Sequence, residues 1–200
     1  MNSKDTNATT KILGIAGSLR QASYNRALLR AAQSLTPPEA ALEIFEIDDI
    51  PGFNQDHESD PPPKVAELKA KVRAADAILF VTPEYNYSIP GVLKNVIDWA
   101  SRPYGDNAWS GKPVAIMGAS IGGAGTARAQ YHLRQTFVFL NMHPLNQPEV
   151  MVANATSKFD EQGNYLDEQG KQYISQLLKE LVKWTKLLRM ASEPGQSLAK

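Results

Sequence analysis

The sequence predicts an α/β domain built as a doubly wound parallel sheet. Short, nearly continuous apolar runs alternate along the chain with longer segments whose apolar residues recur at helical spacing. Two of the runs, Ala77-Ile-Leu-Phe-Val-Thr82 and Pro113-Val-Ala-Ile-Met-Gly-Ala119, are apolar almost throughout. That is expected of strands covered by helices on both faces. The loops after the first, third and fourth strands are rich in Gly, Ser, Pro and amides, and in such a sheet all three lie at carboxyl ends of strands.

The elements follow in order. Residues 1–10 read as a flexible polar tail, and Ile12–Ala16 as the first strand. A helix from about Ser23 places Leu28, Leu29, Ala32 and Leu35 on one face and stops at Thr36-Pro-Pro38. Leu42–Ile47 mixes apolar and acidic residues and reads as a second strand nearer an edge. Asp48–Pro63 is the longest irregular stretch, and loops of that length in a compact domain are commonly functional or mobile. Val65, Leu68, Val72 and Ala75 mark a second helix, and Ala77–Thr82 the third strand.

A third helix carries Ile89, Val92, Leu93, Val96, Ile97 and Ala100, and Pro113–Ala119 is the fourth strand. A long helix then runs to about Leu140, Pro148–Val152 forms a fifth strand, and a last helix spans about Asp167 to Met190. One domain over 11–190, with a second flexible tail over 191–200, accounts for the whole chain.

Composition removes several function classes. The 200 residues contain 21 Lys+Arg and 21 Asp+Glu, so no strong field recruits nucleic acid or an anionic membrane. With no cysteine, disulfides, thiolate metal sites and cysteine catalysis are excluded. No two of His57, His132 and His143 have metal-ligand spacing, so no metal is expected. The polar start has no secretory pattern and no run is long enough to span a membrane, so a cytoplasmic protein is expected.

The first loop, in Ile12-Leu-Gly-Ile-Ala-Gly-Ser-Leu-Arg-Gln-Ala-Ser-Tyr-Asn25, leads from a strand into a helix N-terminus. A helix N-terminus offers unpaired N–H groups and the positive end of a dipole to an anion. Ser18, Arg20, Ser23 and Asn25 add hydroxyls, a guanidinium and an amide, which makes a phosphate cradle. The spelling is neither a P-loop, since no Gly-Lys-Ser/Thr follows, nor a dinucleotide fingerprint, since Ala16 and Leu19 stand where glycines belong. Taken alone, the stretch reads equally as an ordinary βα turn capped by Ser23.

The second loop, Thr82-Pro-Glu-Tyr-Asn-Tyr-Ser-Ile-Pro-Gly91, is stiffened by prolines. Its N–H groups from Glu84 to Tyr87 suit the edge of a flat heterocycle. Equally, Tyr85 and Tyr87 could simply cover the end of the third helix. The third loop, Ser120-Ile-Gly-Gly-Ala-Gly125, admits close approach of backbone to a ligand. One phosphate cradle and one ring platform in a single crevice point to a mononucleotide, and flavin mononucleotide (FMN) suits both.

These three loops, with Leu93-Lys-Asn-Val-Ile-Asp-Trp99, resemble those of the NADPH-dependent FMN reductases, across roughly residues 11–188. The resemblance implies a flavodoxin-like three-layer sandwich with strand order 2-1-3-4-5 and an FMN-binding domain over 11–190. It implies FMN as cofactor and NADPH or NADH as co-substrate. Ser18, Arg20, Ser23 and Asn25 would hold the phosphate; Pro83, Glu84, Tyr85 and Asn86 would border the ring, with Ser120 and Gly122 on the third side. It further implies a homodimer, or a tetramer in which Arg128, Tyr131 and Glu149 link subunits.

Hydride would pass from NAD(P)H to the flavin and on to a small acceptor such as a quinone, free flavin, azo compound or chromate. No side-chain acid or base is needed, so no catalytic residue is assigned. The Asp48–Pro63 loop and Tyr87 are candidates for lining the acceptor pocket. A hydrolase built on Ser18 fails for want of a suitably placed histidine. A flavodoxin-type electron carrier is the competing reading; neutral charge and the Arg-bearing cradle weigh against it.

Overall fold

A computed structural model describes residues 8–192. Its strands are β1 (Thr10–Ala16), β2 (Ala40–Phe45), β3 (Ala77–Val81), β4 (Pro113–Ala119), β5 (His143–Pro144) and β6 (Val150–Val152). Its helices are α1 (Tyr24–Ser34), α2 (Pro63–Ala74), α3 (Gly91–Ala100), α4 (Ala127–Leu140) and α5 (Glu168–Ser192). The strands pair in parallel in the order β2-β1-β3-β4-β5, with β6 also beside β4. The expected order 2-1-3-4-5 is therefore the observed one.

The continuous apolar runs conceal a two-sided division. In β1, Ile12 and Ala16 face one core with α1 and α5, while Leu13 and Ile15 face the other with α2, α3 and α4. In β3, Ala77, Leu79 and Val81 take the first side and Ile78 and Phe80 the second. The period of two along a strand delivers alternate residues to opposite faces, and helices on both faces demand apolar residues at every position. Gly14 is fixed by this packing: a Cβ there would meet Leu29 Cδ1 at 2.6 Å, so α1 lies too close to β1 for any side chain.

Several boundaries differ from the sequence reading: β1 begins at Thr10 rather than Ile12, and β3 ends at Val81 rather than Thr82. β2 sits two residues earlier than Leu42–Ile47, because Ala40 pairs with Thr10 and the chain leaves the sheet after Phe45. Just beyond, Glu46 and Asp48 turn to Arg26, at 2.8 and 3.4 Å. Ile89 precedes α3, which opens at Gly91 behind Pro90. The fifth strand is broken: β5 pairs with Pro113–Val114 and β6 with Met117–Ala119. The gap contains Pro148, which has no N–H for a ladder. Side chains of α4 partner the carbonyls at its borders: Arg134 donates to Leu145 O at 2.9 Å and Gln130 to Val150 O at 3.0 Å.

Thr10 belongs to β1 and Ala191–Ser192 to α5; Ala8 and Thr9 are exposed and carry no regular structure, and positions 1–7 and 193–200 lie outside the described residues. We retain one domain over 11–190 as the proposed organisation. Among the described residues no helix is long and apolar enough to cross a membrane.

Candidate functional site

Parallel pairing brings the three special loops together by continuing the ladder past the strand ends. Gly17 N–H donates to Val81 O at 2.9 Å, Thr82 N–H to Met117 O at 3.0 Å, and Ser120 N–H to Val152 O at 2.9 Å. The loops after β1, β3 and β4 thus start side by side at the carboxyl edge, where open α/β sheets bind ligands. By contrast, a hollow of about 400 Å³ lined by Lys112, His143 and Arg189 lies at the amino ends of the strands and contains none of the predicted residues.

In the first loop, Ser23 is the N-cap of α1, and its Oγ accepts from the N–H groups of Asn25 (3.2 Å) and Arg26 (3.5 Å). Its hydroxyl proton is still available to donate. Ser18 is buried and its Oγ accepts from Arg20 N–H at 3.4 Å. The N–H groups of Leu19, Gln21 and Ala22 hydrogen-bond to no described residue. The first turn of α1 carries no acidic residue, so nothing there opposes an anion. Arg20 is exposed, its guanidinium 5.7 Å from the centre of the Tyr24 ring.

That ring is supported from a segment which sequence reasoning left unassigned. Phe159 packs on Tyr24 at 5.1 Å between centroids and on Tyr165 at 4.9 Å. This arrangement fits a phosphate group: free backbone donors, two hydroxyls, a helix N-terminus and a cation share one loop.

Asn25 has a different partner from the one the motif suggests. Its amide is buried and exchanges two hydrogen bonds with Ala119, donating to the carbonyl at 2.9 Å and accepting from the N–H at 2.8 Å. Where the motif reading puts this amide on the phosphate, the structure turns it to the end of β4. There it joins the first loop to the third.

In the second loop, Tyr85 and Ser88 exchange backbone hydrogen bonds at 3.0 and 2.9 Å around Asn86 and Tyr87, whose φ values are +51° and +63°. Both central residues in the left-handed region define a type I′ turn. Asn tolerates that conformation; for tyrosine the strain is about 1–2 kcal/mol and persists only where the surroundings enforce it. Tyr85 N–H is consumed inside the turn. The N–H groups of Glu84, Asn86 and Tyr87 bond to no described residue, so these three, rather than the whole run, are free for a ring edge. Pro83 is buried at the loop's start, and Tyr87 is 66% exposed at its tip.

The Glu84 side chain turns away from solvent, 6% exposed, to the first turn of α4. Its carboxylate accepts from the N–H groups of Arg128 (3.0 Å) and Ala129 (3.2 Å) and pairs with the Arg128 guanidinium. Burial pushes its pKa upward, yet the hydrogen bonds and charge from Arg128 and Ala129 outweigh that and hold it below the ordinary value. Arg128 also covers the Tyr87 ring, 3.8 Å from its centre.

In the third loop, Gly122 N–H donates to Ser120 Oγ at 3.2 Å, and both residues are solvent-accessible. Gly118, just before it, admits no side chain, because a Cβ would collide with Thr82 O and Thr126 Oγ1. Tyr131 donates to Glu149 within one chain at 3.0 Å, whereas Arg128 is engaged with Glu84.

The long loop is bound down rather than loose. Asn95 accepts from Phe53 N–H at 2.7 Å and donates to Pro51 O at 2.8 Å, and Trp99 donates to the same carbonyl at 2.8 Å. Arg102 donates to Glu58 at 2.9 Å. Asn95 and Trp99 lie four apart on one helix face, and that spacing of an amide and an indole was the sequence signal for this anchor.

The NADPH-dependent FMN reductase family model matches residues 10–157. An NAD(P)H-dependent FMN reductase of Pseudomonas aeruginosa is 55% identical over 180 residues, covering 90% of this chain and 97% of its own. A 2-hydroxy-1,4-benzoquinone reductase from a Burkholderia species is 42% identical over 176 residues, covering 88% and 96%. Among solved structures, a flavoenzyme NAD(P)H:(acceptor) oxidoreductase from Paracoccus denitrificans aligns with a TM-score of 0.82 at 34% identity, over 89% of this chain and 98% of its own. With its fold, its three strand-end loops and these relatives in agreement, the chain belongs to the NADPH-dependent FMN reductase family, as an oxidoreductase that uses FMN with NAD(P)H.

Proposed function

We propose that this protein is an NAD(P)H:quinone reductase whose FMN lies across the three loops at the carboxyl edge of the sheet. The observation that carries the reading is the shared donor set. Free N–H groups at Leu19, Gln21 and Ala22 and at Glu84, Asn86 and Tyr87 stand on adjacent loops, the first group beside two serines and an arginine.

In this reading Ser18, Arg20 and Ser23 hold the phosphate and Asn25 holds the loop that carries them. The backbone of Pro83, Glu84, Tyr85 and Asn86 borders the ring, and Ser120 with Gly122 forms the third side. FMN held there would supply the hydride chemistry between nicotinamide and acceptor, and these residues bind and orient it. The protein holds the ring and leaves room above it for the two substrates in turn, and Tyr87 with the anchored Asp48–Pro63 loop lines that room.

A quinone acceptor is favoured because relatives from Burkholderia, Pseudomonas putida and rice are named for quinone reduction. Free flavin, azo compounds and chromate are the alternatives. A cytoplasmic location and a homodimer or tetramer go with this reading; Val138 and Phe139, 82% and 80% exposed on α4, are available to an assembly. A flavodoxin-type carrier is less favoured, since the relatives are named for direct NAD(P)H oxidation.

The test is anaerobic addition of NADPH to the FMN-loaded protein, followed by each acceptor. Bleaching of the flavin, then faster reoxidation by a benzoquinone than by free FMN, an azo dye or chromate, is expected. Flavin that stays oxidised would point to the electron carrier, and a faster rate with another acceptor would replace the quinone.

A further inference from the structure

We propose that Glu84 is a positioning residue, whose carboxylate clasps the ring-bordering turn to α4 so that the turn is shaped before FMN arrives. This rests on the reading above that the Tyr85–Ser88 turn borders the ring.

Helix α4 has no side-chain cap of its own. Its N-cap residue, Thr126, makes no capping bond, and Thr126 Oγ1 instead accepts from Gln130 at 3.0 Å. The orphan N–H groups of Arg128 and Ala129 are taken by Glu84, 44 and 45 positions earlier in the chain. Oε2 receives both N–H groups and Oε1 receives the guanidinium, so the buried carboxylate is committed to α4. Arg128 then reaches forward over Tyr87, the strained residue of the turn. Ser88, at the end of the turn, lies 3.0 Å from His132 Nδ1 on the next turn of the same helix.

Residues 84, 87 and 88 are thereby all gripped by one helix, and that helix begins where the third loop ends. Two walls of the crevice are consequently joined through α4. A turn with two left-handed residues would otherwise relax in the empty protein, and the ordering would have to be supplied on binding. The clasp removes that requirement and fixes the direction of the free N–H groups, which are the groups able to tune a bound ring.

The experiment titrates FMN into the apoprotein of Glu84→Gln, Arg128→Leu and the double variant, and measures the midpoint potential of the bound flavin. Each single change is expected to weaken FMN binding about tenfold, with the double variant no worse than the weaker single, because both remove one clasp. The potential should shift in all three. Unchanged affinity and potential in folded single variants would overturn the proposal, whatever happens to the melting temperature, because Glu84 would then be a helix cap only.

If Glu84→Gln does not fold, Arg128→Lys decides. It keeps the ion pair that Arg128→Leu removes, so recovery of FMN affinity and potential in Arg128→Lys relative to Arg128→Leu supports the clasp, and a folded Arg128→Leu indistinguishable from the parent overturns it. A cradle variant, Ser18→Ala with Arg20→Ala, separates the clasp from the site. Weaker binding in the cradle variant alone rejects the clasp and retains the crevice. No weakening in either rejects the crevice, and the clasp with it.

Discussion

Asn25 and Ala119 stand 94 positions apart and exchange a reciprocal pair of hydrogen bonds through the buried amide of one and the backbone of the other. The pair fastens the first turn of α1 to the last residue of β4, directly before the third loop. An asparagine serves here because one side chain must both donate and accept. Glutamine would be too long, and aspartate cannot donate.

Replacing Asn25 by Ala should therefore destabilise the fold by about 2–4 kcal/mol, since a buried N–H and a buried C=O each lose their partner. Asn25→Asp should be comparably harmful, because it sets a carboxylate against the Ala119 carbonyl. Urea unfolding of the apoprotein measures both. An Asn25→Asp variant as stable as the parent would show that the amide orientation is not what matters.

Arg20 and Ser23 share the phosphate loop but are held differently, and their substitutions should separate accordingly. Arg20 is exposed and away from the core, so Arg20→Ala should weaken FMN by roughly tenfold or more through a lost charge-assisted bond while leaving stability within about 0.5 kcal/mol. Ser23→Ala removes the cap of α1 as well and should cost about 1 kcal/mol of stability in addition. Flavin fluorescence titration and thermal unfolding, run in parallel, distinguish the two effects.

Acid should release the Glu84 clasp. The folded pKa lies below the ordinary glutamate value: burial opposes this, and Arg128 with the helix N–H groups overrides it. A group with a lowered folded pKa contributes its stabilisation above the unfolded value and loses it as pH falls through the folded one. The melting temperature of the parent should accordingly decline more steeply than that of Glu84→Gln below pH 4.5, and the two curves should run parallel above it. Parallel curves throughout would remove Glu84 from the acid transition.

The Asp48–Pro63 loop should become mobile when its anchor is cut. Asn95→Ala removes two hydrogen bonds to Pro51 and Phe53, leaving Trp99 and Arg102 to hold the segment. Limited proteolysis should then nick the loop faster than in the parent. If the loop also lines the acceptor pocket, the KM for the quinone should rise while the FMN affinity is unchanged.

Local pattern was enough to lay out the sheet, its helices and the three strand-end loops. Apolar runs at Ala77–Val81 and Pro113–Ala119 demand burial on two faces, and Ser23 ahead of a helical stripe announces a capped N-terminus. Which side chains those loops leave free depended on tertiary structure, while the local turn takes up Tyr85 N–H. The Asn25 amide, the Glu84 carboxylate and the Tyr85 N–H all belong to motifs that read as ligand-binding, and each meets a protein partner. Two of those partners, Ala119 and Arg128, are brought close only by the folded sheet. Hydrogen bonds between segments 44 to 94 residues apart leave no periodicity in the sequence, since their strength comes from burial and geometry that exist only once the sheet has assembled.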